Sequence, residues 1–461
     1  MTCRFTAGRV PASGLAELFD TERRWQRWLE VEAALAHCQA TAGLIPAEAA
    51  TAIVDACHLE RLDLDRVRAD VVRMSHPLMP LITELGRAVG DPHGGWVHWG
   101  ATTQNITQTG DVLVLRDAHG LLLGTLARVL GSLADLAERG ADLPMAGRTH
   151  GQHAVPITFG LKVASWIDEI DRHVERLWQS RPRLTMAILG GAAGTFASFG
   201  DHGPQLQAAV ADRLGLTPMA VPSRAVTDHL AEFVCVLGLL AGSCGRIARE
   251  VYALMSTELG EAEEPVPLGT VGSSTMPQKR NPQLSQDVLS ITAEIRSLVP
   301  LALEAMHNEH EADHSPTAMF ATLARACVLT GDSLERLDVI VSGLRLNPRR
   351  MRENIDLSDG MIGAEALMLE LGRLMGRQEA HHVVYQAAQA AASEGRSFRE
   401  LLAADPRIVA RLDAGTVAAL LDPDRHTGAS AAMARTAAAT ARRTAAGTRV
   451  RLARGAGYPA A

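Results

Sequence analysis

The stretch Glu264-Pro-Val-Pro-Leu-Gly-Thr-Val-Gly-Ser-Ser-Thr-Met-Pro-Gln-Lys-Arg-Asn-Pro282 concentrates the residue types best able to do chemistry in this chain. Its glycines and prolines forbid helix between two long helical patterns, which predicts an ordered loop over 264–282. Gly272-Ser273-Ser274 can present successive backbone N–H groups and a hydroxyl, while Lys279 and Asn281 can grip a carboxylate from the same loop. That set suits removal of a proton next to a carboxylate: a serine oxygen can take the proton only where fixed donors stabilise its alkoxide. The chain lacks the Gly-x-Ser-x-Gly and Gly-Lys-Ser/Thr contexts of serine nucleophiles and phosphate loops here.

Further candidates are more ordinary. His98-Trp-Gly-Ala-Thr-Thr-Gln-Asn105 offers the paired hydroxyls of Thr102 and Thr103. Gly147-Arg-Thr-His-Gly-Gln-His153 offers Thr149, His150 and Gln152, although a histidine ahead of a helix is commonly a cap or a buried, satisfied residue. Leu189-Gly-Gly-Ala-Ala-Gly-Thr195 reads equally as close helix packing and as a contact segment ending at Thr195. Lys162 reads equally as an ion-pair partner. His307, His310 and His314, with Glu311 between, fall at helical spacing that would clasp a metal on one face, which is the reading of a different class of enzyme.

Long elements must position these residues. Apolar periodicity predicts helices near 21–42, 109–139, 157–179, 229–257, 283–308 and 317–345, with shorter ones near 361–376 and 379–394. With 4% aromatic and 47% hydrophobic residues in 461, the expected fold is all-α. It consists of a helical head over 1–105, an elongated bundle over 106–347 and a helical tail domain over 348–461 that frays at its end. Helices apolar around more than one face, such as 113–123 and 234–240, predict burial in an oligomer core. Six cysteines without a Cys-x-x-Cys pair suggest reduced thiols in a cytosol, and neither a leader nor an uninterrupted apolar run of membrane-spanning length stands out. A net charge of −7 argues against nucleic acid as partner. Only Lys162 and Lys279 are lysine among 45 basic residues, which marks both as places for a compact ammonium.

Gly272-Ser-Ser-Thr-Met-Pro-Gln-Lys-Arg-Asn-Pro282 resembles the signature loop of the aspartase/fumarase superfamily, and the 98–105, 147–153 and 189–195 blocks are similar to its other substrate segments. Together with Met351-Arg-Glu-Asn-Ile-Asp-Leu-Ser358, they place the resemblance nearest the 3-carboxy-cis,cis-muconate cycloisomerases and adenylosuccinate lyases. It implies a cofactor-independent homotetramer with sites shared by three subunits, acting on a small di- or tricarboxylate. Ser273 would be the base, with Ser274 its competitor, and His150 the acid; Thr102, Thr103, Thr149, Gln152, Thr195, Lys279 and Asn281 would hold substrate. The expected reaction is β-elimination from a succinyl compound, with carbon–nitrogen cleavage releasing fumarate; lactonisation of carboxymuconate is the alternative. Three departures bear on substrate. Thr227 and His229 stand where relatives tend to carry arginine, Ala312 replaces another in His310-Glu-Ala-Asp313, and Gln286 replaces a glutamate expected to support the acid. Missing guanidiniums disfavour a phosphorylated substrate.

Overall fold

The computed structural model describes residues 4–311 and 316–454. Its head is built from α1 (Thr21–Thr41), α2 (Ala47–Ala56), α3 (Leu64–Met74) and α4 (Met79–Val89). Asp20 stands at the N-cap position of α1, but its side chain makes no capping bond. The head core of Trp25, Leu29, Ile53 and Leu85 is completed from much later in the chain by Leu206 and Val210 of α7 (Gly203–Arg213). Residues 1–105 therefore do not close this core alone.

The bundle comprises α5 (Thr103–Arg139), α6 (Phe159–Leu184), α8 (Asp228–Leu254), α9 (Gln283–Glu304) and α10 (Pro316–Ser342), and its core is a run of fully buried Leu, Ile, Val and Ala. The helices alternate in direction. Thr109 Oγ1 bonds Ile188 O at 3.0 Å, bringing the end of α6 to the start of α5. Asn308 Nδ2 bonds Ala225 O at 3.1 Å beyond α9, and an Arg139 N–H bonds Leu344 O at 2.6 Å beyond α10. One end of the bundle thus meets the head, and the other carries the turns after α5, α8 and α10. Two of these helices, α5 and α8, are long and apolar enough to cross a membrane, but most of each is buried inside the chain, as core helices are.

Three small ladders interrupt the helices among the described residues. Two matter for the site: the hairpin β1 (Pro144–Thr149) with β2 (Gln152–Thr158), and the short pair β3 (Ala262–Glu263) with β4 (Arg345–Leu346). The expected helix near 157 therefore starts only at Phe159, capped by Thr158 Oγ1 accepting from Leu161 N at 3.2 Å.

Beyond α11 (Pro348–Asp356) come α12 (Ala364–Met375) and α13 (Arg377–Glu394), which with Phe398, Leu402 and Leu421 form a separate small core. The final helix, α14 (Ser430–Ala453), leaves that tail and lies along α5 and α6. Its Ala438, Ala441 and Ala445 are buried in the bundle, and Arg442 pairs with Asp135 at 2.8 Å and with Glu138. The helix runs through Ala453, where alanine at helical spacing permits close packing, and the Gly455 to Pro459 stretch expected to fray lies outside the described residues.

Candidate active site

Near the head, Thr102 is the N-cap of α5 in a reciprocal capping box with Asn105, whose Oδ1 accepts from Thr102 N at 3.2 Å. The same buried Oδ1 accepts from Gly191 N at 3.1 Å, tying the Thr102–Thr103 block to the Gly-Gly turn. Gly194 has φ +78°, and a Cβ there would meet Pro222 O at 2.0 Å, so this turn requires glycine. It leaves Thr195 exposed, with Oγ1 accepting from Ala197 N at 3.4 Å.

Two histidines that the sequence reading did not assign lie here. His76 Nδ1 accepts from Leu78 N at 3.2 Å and Met79 N at 2.9 Å, so the ring proton sits on Nε2, which faces Thr103 Oγ1 at 3.5 Å. The signal was Ser75-His76-Pro77 at a helix start, a setting for a capping ring. His98 Nδ1 contacts the buried Glu32 carboxylate at 2.6 Å. Burial opposes the charged ring, but the bond and charge of Glu32 prevail and raise its pKa.

At the opposite end, Thr149 pairs with Gln152 across the hairpin, and His150-Gly151 forms its two-residue turn with φ +53° and +76°. His150 is therefore a hairpin tip and not a residue ahead of a helix; Thr149, His150 and Gln152 are all exposed. The left-handed conformation is uncommon for histidine, and such strain recurs where function holds it. Arg148 anchors the turn through a two-pronged pair with the fully buried Glu261, at 2.9 and 2.6 Å. In His153, burial lowers the ring pKa, and Arg148 adds to that.

The loop predicted over 264–282 is present. Ser273 Oγ accepts from Thr275 N and Met276 N, each at 3.2 Å, and lies 3.4 Å from Thr275 Oγ1. Ser274 is exposed and has no such donors. Asn281 Nδ2 donates to Gly272 O at 2.7 Å, so one of its N–H groups braces the loop and one remains for a ligand. A Cβ on Gly272 would lie 2.0 Å from Lys279 O, which explains a glycine before the serine. Lys279 is exposed beside a cleft that Arg280, Asn281 and Arg345 also line. Arg280 pairs with Glu263, which Arg345 also meets at 2.6 Å. Glu264, fully buried, accepts from Leu284 N, Ser285 N and Ser285 Oγ at 2.8, 2.9 and 2.7 Å and so caps α9. Gln286, one turn later, is exposed.

One chain does not bring these groups into one pocket. The 37 residues of α5 span about 55 Å at 1.5 Å per residue, separating Thr102, Thr103 and Thr195 from the hairpin and the signature loop. Lys162 Nζ is 2.7 Å from Glu250 Oε1, in keeping with the ion-pair reading. The metal-binding face expected of His307 and His310 does not form: α9 ends at Glu304, and His310 lies in a turn with φ +58°. His314 and Ala312 lie outside the described residues. Thr227 and His229 are both buried, the Thr227 hydroxyl and both His229 ring nitrogens lack hydrogen-bond partners, and burial lowers the His229 pKa.

Residues 7–296 match the family described as "Lyase", and residues 360–437 match "Adenylosuccinate lyase C-terminus". The chain is 37% identical over 414 residues to N-acetyl-S-(2-succino)cysteine lyase of Dickeya dadantii, covering 90% of this chain and 91% of that one. It is 39% identical over 432 residues to 3-carboxy-cis,cis-muconate cycloisomerase of Pseudomonas aeruginosa, covering 93% and 94%. The crystal structure of the 3-carboxy-cis,cis-muconate lactonizing enzyme of Pseudomonas putida superposes with a TM-score of 0.87 at 36% identity, over 95% of this chain and 99% of that one. With the loop geometry and the long-helix bundle, these likenesses identify the chain as a lyase of the aspartase/fumarase superfamily.

Proposed function

We propose that this enzyme eliminates a substituent from C2 of a succinate and releases fumarate, with Ser273 as base. Ser273 takes the C3 proton, and the electron pair passes into the adjacent carboxylate, where Lys279 and the free N–H of Asn281 hold the aci-carboxylate. The pair then returns to form the double bond as the substituent leaves with its own pair. His150 supplies a proton when the leaving atom is basic, and Thr102, Thr103, Thr149, Gln152 and Thr195 bind the carboxylates. The observation that carries the reading is the pair of backbone N–H groups on Ser273 Oγ, a preformed cradle for an alkoxide that its neighbour Ser274 lacks.

The separation along α5 fits a homotetramer in which each site combines segments of three subunits, and the free cysteines fit a reducing cytosol. A neutral amide at Gln286 cannot stabilise an imidazolium as a carboxylate would, which favours a substituent able to depart as a stable anion. The relative that acts on a succinyl thioether agrees with this preference. A buried His229, whose pKa burial lowers, in the place where relatives tend to carry arginine disfavours adenylosuccinate, despite the 37% identity to the adenylosuccinate lyase of Methanothermobacter thermautotrophicus. The second reading is lactonisation of 3-carboxymuconate, which the 39% identity to a cycloisomerase favours.

The deciding experiment is a panel of succinates whose C2 substituents run from amines through thiolates to nitrite, with 3-carboxymuconate and adenylosuccinate alongside. Ultraviolet absorbance follows fumarate or muconate. Fumarate release from the substrates with stable leaving groups is expected. Consumption of carboxymuconate alone would replace the elimination reading, and efficient adenylosuccinate cleavage, above about 10⁴ M⁻¹s⁻¹, would overturn the small-substrate assignment.

A further inference from the structure

The β1–β2 hairpin is two-stranded, and such a hairpin is marginal in water without outside support. Its base is held by Phe159 N to Leu143 O at 2.9 Å and Gly160 N to Gly140 O at 2.7 Å. Towards the tip the register slips between Ala146 and Arg148, and a bulge of this kind redirects side chains. The redirected Arg148 meets Glu261, whose fully buried carboxylate lies between α8 and β3. A third element closes the arrangement: Asn354 of α11 donates from Nδ2 to Glu261 Oε1 at 2.8 Å and to Leu259 O at 2.9 Å. Asn354 belongs to the Met351–Ser358 block, which the proposed reaction leaves without a role.

We propose that Glu261 is a positioning residue: steadied by Asn354, its carboxylate fixes Arg148 and thereby the turn that presents Thr149, His150 and Gln152. The inference rests on the assignment of that turn to the active site. A carboxylate in this place accepts two parallel N–H bonds from Arg148 and one from Asn354 without exposing a donor. Glutamine has the same shape but turns an NH2 towards one of these N–H groups, so one prong is lost and replaced by repulsion. The turn would then sample orientations in which His150 misses the leaving group.

The test uses full-length Glu261→Gln with three readouts. Amide hydrogen exchange across 144–158 should quicken at least ~10-fold while peptides from 115–135 in α5 stay protected. On the accepted succinate with the most basic leaving group, where the His150 proton matters, kcat should fall at least ~10-fold with KM changed less than about threefold. That loss of kcat should disappear when Glu261→Gln is placed in a His150→Ala background, since it acts through His150. Unchanged hairpin exchange, or an equal kcat loss with and without His150, would overturn the proposal. Should Glu261→Gln not fold, Asn354→Ser removes one donor to the same carboxylate; it should give the same pattern at smaller size, and wild-type exchange in it would equally overturn the proposal. Inactive Ser273→Ala and slowed but measurable His150→Ala beside a Glu261→Gln enzyme of wild-type behaviour would sink this inference alone. Intact turnover of that same basic-leaving-group substrate in His150→Ala would sink the assignment of the turn instead.

Discussion

At the scale of single residues, Ser273 and Ser274 differ by what points at their oxygens. Both are small hydroxyls in one loop, but only Ser273 receives two main-chain N–H groups. Ser273→Ala is expected to abolish turnover with circular dichroism and oligomer size unchanged, whereas Ser274→Ala retains most activity. A Ser273→Ala enzyme that kept more than about a tenth of the rate, under ~1.4 kcal/mol on the barrier, would remove it from the base role. Gly272 is a second sensitive position, for a steric reason. An alanine methyl would overlap Lys279 O, a backbone atom that cannot swing aside, so the two limbs of the loop would have to part. Gly272→Ala should lower kcat at least ~100-fold while leaving thermal stability close to wild type, because the loop is at the surface.

Among the elements, the short acidic run 261–264 ties three pieces together: Glu261 the hairpin, Glu263 the loop through Arg280, and Glu264 the N-terminus of α9. Burial raises the Glu264 pKa, against the lowering by its bonds to Ser285 and Leu284 and by Arg9. Replacing it with glutamine sets an amide donor against those donors. A lost bond in a buried site costs about 1–3 kcal/mol. Glu264→Gln should therefore lower the melting temperature and speed exchange at 283–288, and unaltered exchange there would remove Glu264 as the cap that orders the root of the loop.

For the whole molecule, burial sets an acid limit. His119, within α5, is fully enclosed, and burial depresses its pKa to about 4, although its bond to Leu177 O at 2.9 Å acts the other way. The unfolded chain takes up that proton near pH 6.5, so the neutral ring favours the fold fully above that pH. The contribution is lost as pH falls from about 6.5 to 4, to a total of roughly 3 kcal/mol for this group. Denaturant midpoints should fall across that window, and His119→Gln should flatten the slope; an identical slope in the variant would show that other groups set it. Assembly is the second whole-molecule expectation. Exposed Leu239, Leu301 and Leu303 on α8 and α9 need cover, so light scattering should give a tetramer mass at micromolar concentration, and a monomer would end the shared-site proposal.

Helical periodicity and Gly/Pro punctuation were enough to mark out the long helices and the loop between α8 and α9, since both are local consequences of the chain. The Ser273, Lys279 and Asn281 set was legible for the same reason: its members lie within nine residues of one loop. Contacts distant in sequence were not legible. The His150 turn looks like a lead into a helix until β1 and β2 pair, and its neighbour Arg148 finds its partner in Glu261, which lies 113 residues later. His76 has no obvious partner in sequence until α4 and α5 bring it to Thr103. The histidines after α9 look helical by spacing alone, but the helix stops at Glu304. The Ala-rich C-terminal stretch can be read as the start of a helix, but only the fold shows that α14 lies along the side of α5. Local propensity acts through neighbours along the chain, whereas these positions are set by burial and pairing between distant segments, which only the folded structure brings together.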